Sequence, residues 1–373
     1  MGFMSLLVLA YCMLMLFYAL RFKAFRFYEL KKDLPPKTNF SIIIPFRNEA
    51  EYLPQLLKSL SELKYPKNQF EIFLVNDHSE DDSKSICDDL IENLGLKNAS
   101  TIDNQNLAKS PKKSAILSAL SAVKGDYLIT TDADCLLPQD WLRHYDMQIQ
   151  DNPADLVAGP VKIIENNKFW TKFQVLDMMS LQVIGLGSFK TPTPLLCNAA
   201  NLCYKVETLL DIEAFEAHKD IVSGDDIFNL ESFQKSNKSV KAIVHPDVTV
   251  WTKAESHFND LTQQRIRWAS KAKFYKNKWL IILGLIVLLT NLSLVSSLVF
   301  AFASESFQHF WWLWIFKISV DFCVLYIGNQ FFKASLCLRE YIIIMLIYPF
   351  VSSYFGVLSL DGKFNWKGRK YMV

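Results

Sequence analysis

Three short polar segments, each directly after an apolar run, hold the residues best suited to chemistry. Pro45-Phe-Arg-Asn-Glu49 follows SIIIP, Asn76-Asp77-His-Ser follows FEIFLV, and Asp132-Ala-Asp134 follows YLITT. A single carboxylate in such a place is an ordinary solvated turn, whereas three corresponding sets converge on a site. Asp132 and Asp134 suit a hard divalent cation, Mg²⁺ or Mn²⁺, held by one or two carboxylates while ligand phosphates complete its shell.

The runs that deliver these groups read as buried strands at Ser41–Pro45, Phe70–Val75 and Tyr127–Thr131. Amphipathic helices are expected at Glu49–Ser61, Asp82–Leu94 and Lys112–Val123. This alternation, between about Asn39 and His257, implies an α/β domain with a parallel sheet covered by helices on both faces. Ligands bind such sheets at the carboxyl ends of the strands, where the three polar segments lie.

Outside that domain the chain changes character. It has 373 residues, 51% of them hydrophobic, and a mean hydropathy of +0.12, high for a soluble protein. Met1–Leu20, Trp279–Ala303, Phe310–Phe332 and Tyr341–Leu360 are apolar runs of membrane-crossing length. Arg21, Lys23, Arg26, Lys31 and Lys32 follow the first run and place what comes after it in the cytoplasm. Lys317 and Asp321, one helical turn apart inside the third run, are expected to pair or to face protein. Pro349, Ser352 and Ser353 mark the fourth as kinked or re-entrant. Four crossings would leave the basic tail outside, whereas its Lys363, Lys367, Arg369 and Lys370 favour the inside, so both arrangements stay open. The balance of 40 basic and 38 acidic residues gives no case for nucleic acid as a partner. Seven cysteines without a C-x-x-C pair form neither a zinc site nor a disulfide framework.

From SIIIPFRNEA (41–50), FLVNDHSEDDS (73–83), KKSAI (112–116), TTDADC (130–135), CNAANLCYK (197–205), SGDD (223–226) and QQRIRW (263–268), taken in this order, the chain resembles the membrane-bound family-2 inverting glycosyltransferases. The resemblance implies a nucleotide-diphospho-sugar transferase (GT-A, Rossmann-like) fold. In it Asp77 binds the nucleobase, Pro45 and Glu49 line the nucleoside pocket, and Asp132 meets the ribose and diphosphate. Asp134 would bind the metal, and Lys112, or Lys113 in its stead, would be the basic residue of the donor site. Of Asp225 and Asp226 the second would be the general base, because a neutral hydroxyl attacks only once a positioned carboxylate takes its proton. Gln264, Arg267 and Trp268 form the Q-x-x-R-W signature, with Trp268 beneath the acceptor and Arg267 near the diphosphate, tasks that suit an aromatic platform and an arginine fork. Asn201 would lie on the acceptor side, and His78 would be a loop residue without a role.

The resulting organisation is a transmembrane helix at 1–20, a cytoplasmic transferase domain at 21–255, and an interfacial helix at 256–278. Membrane segments at 279–360 and a basic tail at 361–373 complete it. Phe169–Phe189 is expected to be a second interfacial helix or part of a core. Trp366, Arg369 and Tyr371 resemble the end of ceramide- and carotenoid-type lipid glycosyltransferases. The leading expectation is therefore a multi-pass cell-membrane enzyme moving a sugar from a nucleotide-diphospho-sugar, a UDP-sugar first, to a lipid or other membrane-embedded acceptor. A processive synthase making a polysaccharide is the alternative, and an inactive nucleotide-sugar-binding scaffold is the second.

Overall fold

The computed structural model describes residues 2–26, 28–31, 33–303, 305 and 307–372; Met1, Lys32 and Val373 of the expectations above lie outside the described residues. The first half of the chain runs α1 (Gly2–Lys23), β1 (Phe40–Phe46), α2 (Leu53–Ser61), β2 (Phe70–Asn76), α3 (Ser83–Asn93), β3 (Ala99–Asp103), α4 (Pro111–Leu120), β4 (Tyr127–Thr130), β5 (Cys135–Leu136), α5 (Trp141–Asp151), β6 (Leu156–Ala158), β7 (Val161–Ile163) and α6 (Phe169–Ser188). The second half runs β8 (Leu202–Lys205), α7 (Val206–Asp211), α8 (Asp225–Lys235), β9 (Val240–Ala242), β10 (Val250–Thr252), α9 (Phe258–Ser270), α10 (Lys278–Ala303), α11 (Gln308–Phe332), α12 (Leu338–Ser359), β11 (Lys363–Trp366) and β12 (Arg369–Met372).

Two compact units divide these elements. The α/β unit comprises Arg26–Ile164 and Pro192–Lys253. Its main sheet has seven strands in the order β3-β2-β1-β4-β8-β6-β9, and β3, β2, β1 and β4 are mutually parallel. Ile42, Ile43 and Ile44 of β1 are fully buried, as a parallel strand covered on both faces requires. The register pairs Phe46 with Asn76 and Ile43 with Thr130, which brings the ends of β1, β2 and β4 to one edge. β8 enters antiparallel between β4 and β6, a reversal that the β-α-β pattern does not announce. The strands expected from sequence agree with β1, β2 and β4 within a residue or two. The remaining ones are only two to five residues long, too short to show a period. α2 starts at Leu53 rather than Glu49, because the backbone from Glu49 to Tyr52 is spent on a turn and Pro54 sits in the first helical turn.

The helical unit comprises Met1–Phe25, Glu165–Thr191 and Ala254–Val373. α1, α10, α11 and α12 are each long and apolar enough to cross a membrane. Lys317 Nζ lies 2.5 Å from Asp321 Oδ2, and the lysine is fully buried, as the one-turn spacing requires. α6 buries most of its residues rather than one stripe, so core packing accounts for it. α9 ends at Ser270 and a short 3₁₀ turn, Lys271–Phe274, separates it from α10. Pro349 lies within an unbroken α12, so no re-entrant turn forms there.

β11 and β12 form a hairpin that packs on α9. Asn365 N–H donates to Gln263 Oε1 at 2.8 Å, and the Arg267 guanidinium lies 5.3 Å from the Trp366 ring centroid. α10, α11 and α12 all intervene between α9 and this hairpin.

Candidate active site

The carboxyl edge of the α/β unit is organised around one cation. Lys112 Nζ lies 2.5 Å from Asp132 Oδ1 and 3.3 Å from Asp225 Oδ2. The lysine leaves α4, Asp132 follows β4, and Asp225 opens α8, so three separate elements meet at one ammonium. Burial alone would pull the Lys112 pKa down; Asp132, Asp225 and Asp226 outweigh it and push the pKa up, so the ammonium is a fixed positive charge. Lys113 points elsewhere: its Nζ donates to the carbonyls of His218 and Ile221, each at 2.9 Å, and anchors the segment before α8.

Gly224, at φ 76°, turns the chain into α8 through the left-handed region that favours glycine. The turn separates the two acids that follow. Asp225 is buried against Lys112, whereas Asp226 is half-buried, and its Oδ1 accepts the Ile227 N–H at 2.8 Å.

At the end of β2, Asp77 is buried and its Oδ1 accepts from Asn104 Nδ2 at 2.6 Å. Arg47 Nη1 donates to the Asp77 carbonyl at 2.8 Å and also to the His78 carbonyl, tying the turn after β1 to the turn after β2. Glu49 N–H donates to Ser83 Oγ at 2.7 Å, which fixes the buried Glu49 beside α3. Pro45 is half-buried within β1. His78 is exposed, at φ 52°, with Nε2 3.2 Å from Asn106 Oδ1, the position of a loop residue. Sequence reasoning missed Asn104 and Arg47 as holders of Asp77; Arg47 stood inside a quoted motif, but nothing in the sequence pointed to Asn104.

Two groups among the described residues bring possible metal ligands within 4.8 Å of one another. In the first, Asp132 and Asp134 offer hard oxygens, while Cys135 is a buried thiol whose pKa desolvation, then Asp134 and Asp132, push well up. Mg²⁺ and Mn²⁺ are hard ions that take oxygen rather than sulfur, so the part of this set that fits them is the two carboxylates. The second group, His144, His245 and Asp247, fits less well. Its rings stack 4.4 Å apart at 28°, and His245 Nδ1 already accepts the Asp247 N–H at 3.2 Å.

Asn201 is not an acceptor contact. It is fully buried, its Nδ2 donates to the carbonyls of Pro160 and Val248, and its Oδ1 accepts from Trp141 Nε1 and the Tyr145 hydroxyl, all at 2.8–2.9 Å. All its hydrogen-bonding capacity is spent inside the fold, and a Cβ on Gly159 would stand 2.3 Å from its Nδ2.

In the helical unit, α9 carries the Q-x-x-R-W residues. Gln264 Nε2 donates to Glu255 Oε1 at 2.9 Å and its Oε1 accepts from Arg265 Nη1 at 2.8 Å. Trp268 is half-buried, with the Arg265 guanidinium 4.2 Å from its ring centroid.

Comparison with known proteins bears on this geometry. The family model "Glycosyl transferase family 2" matches residues 41–203, and "Glycosyl transferase family group 2" matches residues 127–352, more than half of the chain. The beta-monoglucosyldiacylglycerol synthase of Nostoc sp. (strain PCC 7120) is 29% identical over 40% of this chain and 31% of its own length. The undecaprenyl-phosphate 4-deoxy-4-formamido-L-arabinose transferase of Pseudomonas savastanoi pv. phaseolicola is 37% identical over 36% of this chain and 38% of its own length. The matched region thus spans about a third of these relatives. The mannosyltransferase PcManGT from Pyrobaculum calidifontis, solved with GDP-Man and Mn²⁺, superposes with a TM-score of 0.56 at 16% identity, covering 96% of this chain and 97% of that one. That likeness is one of fold.

Proposed function

Because the chain belongs to glycosyl transferase family group 2, and is a family-2 glycosyltransferase, we propose that it moves a sugar, with inversion, from a nucleoside-diphospho-sugar to a lipid acceptor at the cytoplasmic face of the cell membrane. The observation that carries the reading is Lys112 bridging Asp132 and Asp225, which joins the cation-binding pair and the acids of α8 in one electrostatic unit.

Asp77, with Asn104 and Arg47 holding it, accepts the polar N–H of a nucleobase such as uracil, and Pro45 and Glu49 flank the nucleoside. Asp132 and Asp134 would hold Mg²⁺ or Mn²⁺, and the ion would supply positive charge beside the departing diphosphate. Lys112 adds a fixed positive charge beside the same leaving group. Asp226, more open than its neighbour, takes the acceptor proton. The acceptor oxygen bonds to the anomeric carbon as the carbon–oxygen bond to the diphosphate breaks from the opposite face, and the nucleoside diphosphate leaves with the bonding pair. Trp268 supplies a platform for the acceptor, and Gln264 and Arg267 supply its polar surround.

Because the chain returns from α12 to α9 through the hairpin, the crossings between them must be even in number, and α12 is the helix we assign as lying along the membrane face rather than crossing it. Phe22 packs on Phe331 and Phe332 and the Tyr11 hydroxyl donates to Asp321, so α1 and α11 run side by side in one direction and finish at the same end. α10 and α11 then make the even pair. A cysteine at Met372, in a variant stripped of other reactive thiols, is expected to resist a membrane-impermeant maleimide in intact cells; labelling there would place the hairpin outside.

Membranes containing the protein, supplied with UDP-glucose, UDP-N-acetylglucosamine or GDP-mannose, are expected to yield one new glycolipid carrying a single added sugar in mass spectra of the lipid extract. A polymer ladder would instead support the processive synthase, and no nucleotide release with any donor would leave a binding protein.

A further inference from the structure

The Q-x-x-R-W helix owes its side-chain arrangement to residues far from it in sequence. Arg265, on the buried side of α9, has Nη2 2.6 Å from Asp177 Oδ2, with only 9% and 8% of the two side chains exposed. Asp177 lies in the middle of α6, and its Oδ1 accepts the Tyr348 hydroxyl of α12 at 3.1 Å. The same guanidinium sends Nη1 to Gln264 Oε1 and lies over the Trp268 ring. One planar fork therefore engages a carboxylate, an amide and an indole at once, a geometry open to arginine and not to lysine.

We infer that Asp177 is a positioning residue for glycosyl transfer, holding Gln264 and Trp268 in place through Arg265. The inference rests on the reading above that Gln264 and Trp268 serve the acceptor. Charge on Asp177 is what keeps the guanidinium in the plane it occupies. Without that charge, a buried arginine seeks another partner or water and withdraws from the indole face. Tyr348 orients the carboxylate from α12, so the acceptor platform takes its orientation from helices α6 and α12 as well as from α9.

The test is a double-mutant cycle on full-length protein in membranes. It reads transfer of radiolabel from UDP-glucose, UDP-N-acetylglucosamine and GDP-mannose into extracted lipid, and binding of the same nucleotides by dialysis. Asp177→Asn is expected to lower transfer at least tenfold with nucleotide binding changed less than twofold. In a Trp268→Phe background, itself impaired, the same substitution is expected to cost less than threefold, because there is little placement left to lose. Arg265→Lys should mimic Asp177→Asn, and Asp177→Glu should recover part of the rate. A tenfold loss in both backgrounds, or loss of transfer and nucleotide binding together, would overturn the inference and leave a purely structural pair. Should Asp177→Asn fail to fold, Tyr348→Phe, which keeps the ring against Phe173, completes the same cycle with a smaller expected loss of about threefold. Wild-type transfer by Trp268→Phe would overturn the acceptor reading itself. An impaired Trp268→Phe beside a fully active Asp177→Asn would overturn this inference alone.

Discussion

Buried charge in this chain is gathered in two contrasting ways. In the α/β unit, short side chains at strand ends and a helix start converge on Lys112, and Asp132 keeps 38% of its side chain exposed. In the helical unit, Lys317 and Asp321 stand one turn apart on the flank of a single helix, and Lys317 is wholly enclosed. An assembly left partly open to water at a strand edge is placed to exchange its partners for a ligand. One closed on every side is placed to hold geometry. The two should therefore respond differently to the loss of a single charge: the open one in turnover, the closed one in folding.

The largest effect is expected at the cation pair. Asp134→Ala should reduce transfer about a thousandfold, since charge stabilisation by a bound metal is worth several kcal/mol; excess EDTA should do the same to the unaltered enzyme. Full turnover in EDTA would remove the metal from the open cluster. Next comes Asp226→Asn, which keeps size and polarity yet takes no proton, and should cost roughly a hundredfold in turnover with donor affinity kept. If Asp225→Asn proves the dead variant while Asp226→Asn stays active, the division of labour between the two acids is reversed.

The closed cluster is probed by Lys317→Met. It strands Asp321 and should lower stability by about 3–5 kcal/mol, whereas the Lys317→Met/Asp321→Leu pair should recover most of that. Chemical unfolding in detergent measures both; an unaltered midpoint for the single variant would deny the pair its structural role. The smallest effect is a pH dependence in the α/β unit. Burial, aided by His245, lowers the His144 pKa from 6.5 to about 4. The unfolded chain takes up that proton first, so the contribution is complete above about pH 6.5 and is lost as pH falls towards 4. His144→Phe should flatten the fall in melting temperature across that window, and an unchanged slope would assign the acid sensitivity to other groups.

How much was legible follows from the same contrast. β1, β2 and β4 announce themselves because a parallel strand is apolar throughout and ends abruptly in polar residues, which also exposes Asp77, Asp132 and Asp134. The third arm of that site, Asp225 and Asp226, came from motif resemblance, since a helix start carries acids for capping alone in many proteins. Asn201 was misread because a buried amide and an acceptor contact look alike in a motif; only its four filled hydrogen bonds tell them apart.

By itself the sequence determined the two kinds of region, the three strands of the motif-bearing edge and the residues at its rim. These depend on local periodicity and on where apolar runs stop, and both are written within ten residues. Tertiary structure alone decided that Lys112 rather than Lys113 reaches the acids, that Asp177 and Tyr348 stand behind Arg265, and that the C-terminal hairpin returns to α9. Each joins residues some 20 to 170 positions apart through a side chain's direction. That direction is fixed by packing between elements, which no local pattern encodes.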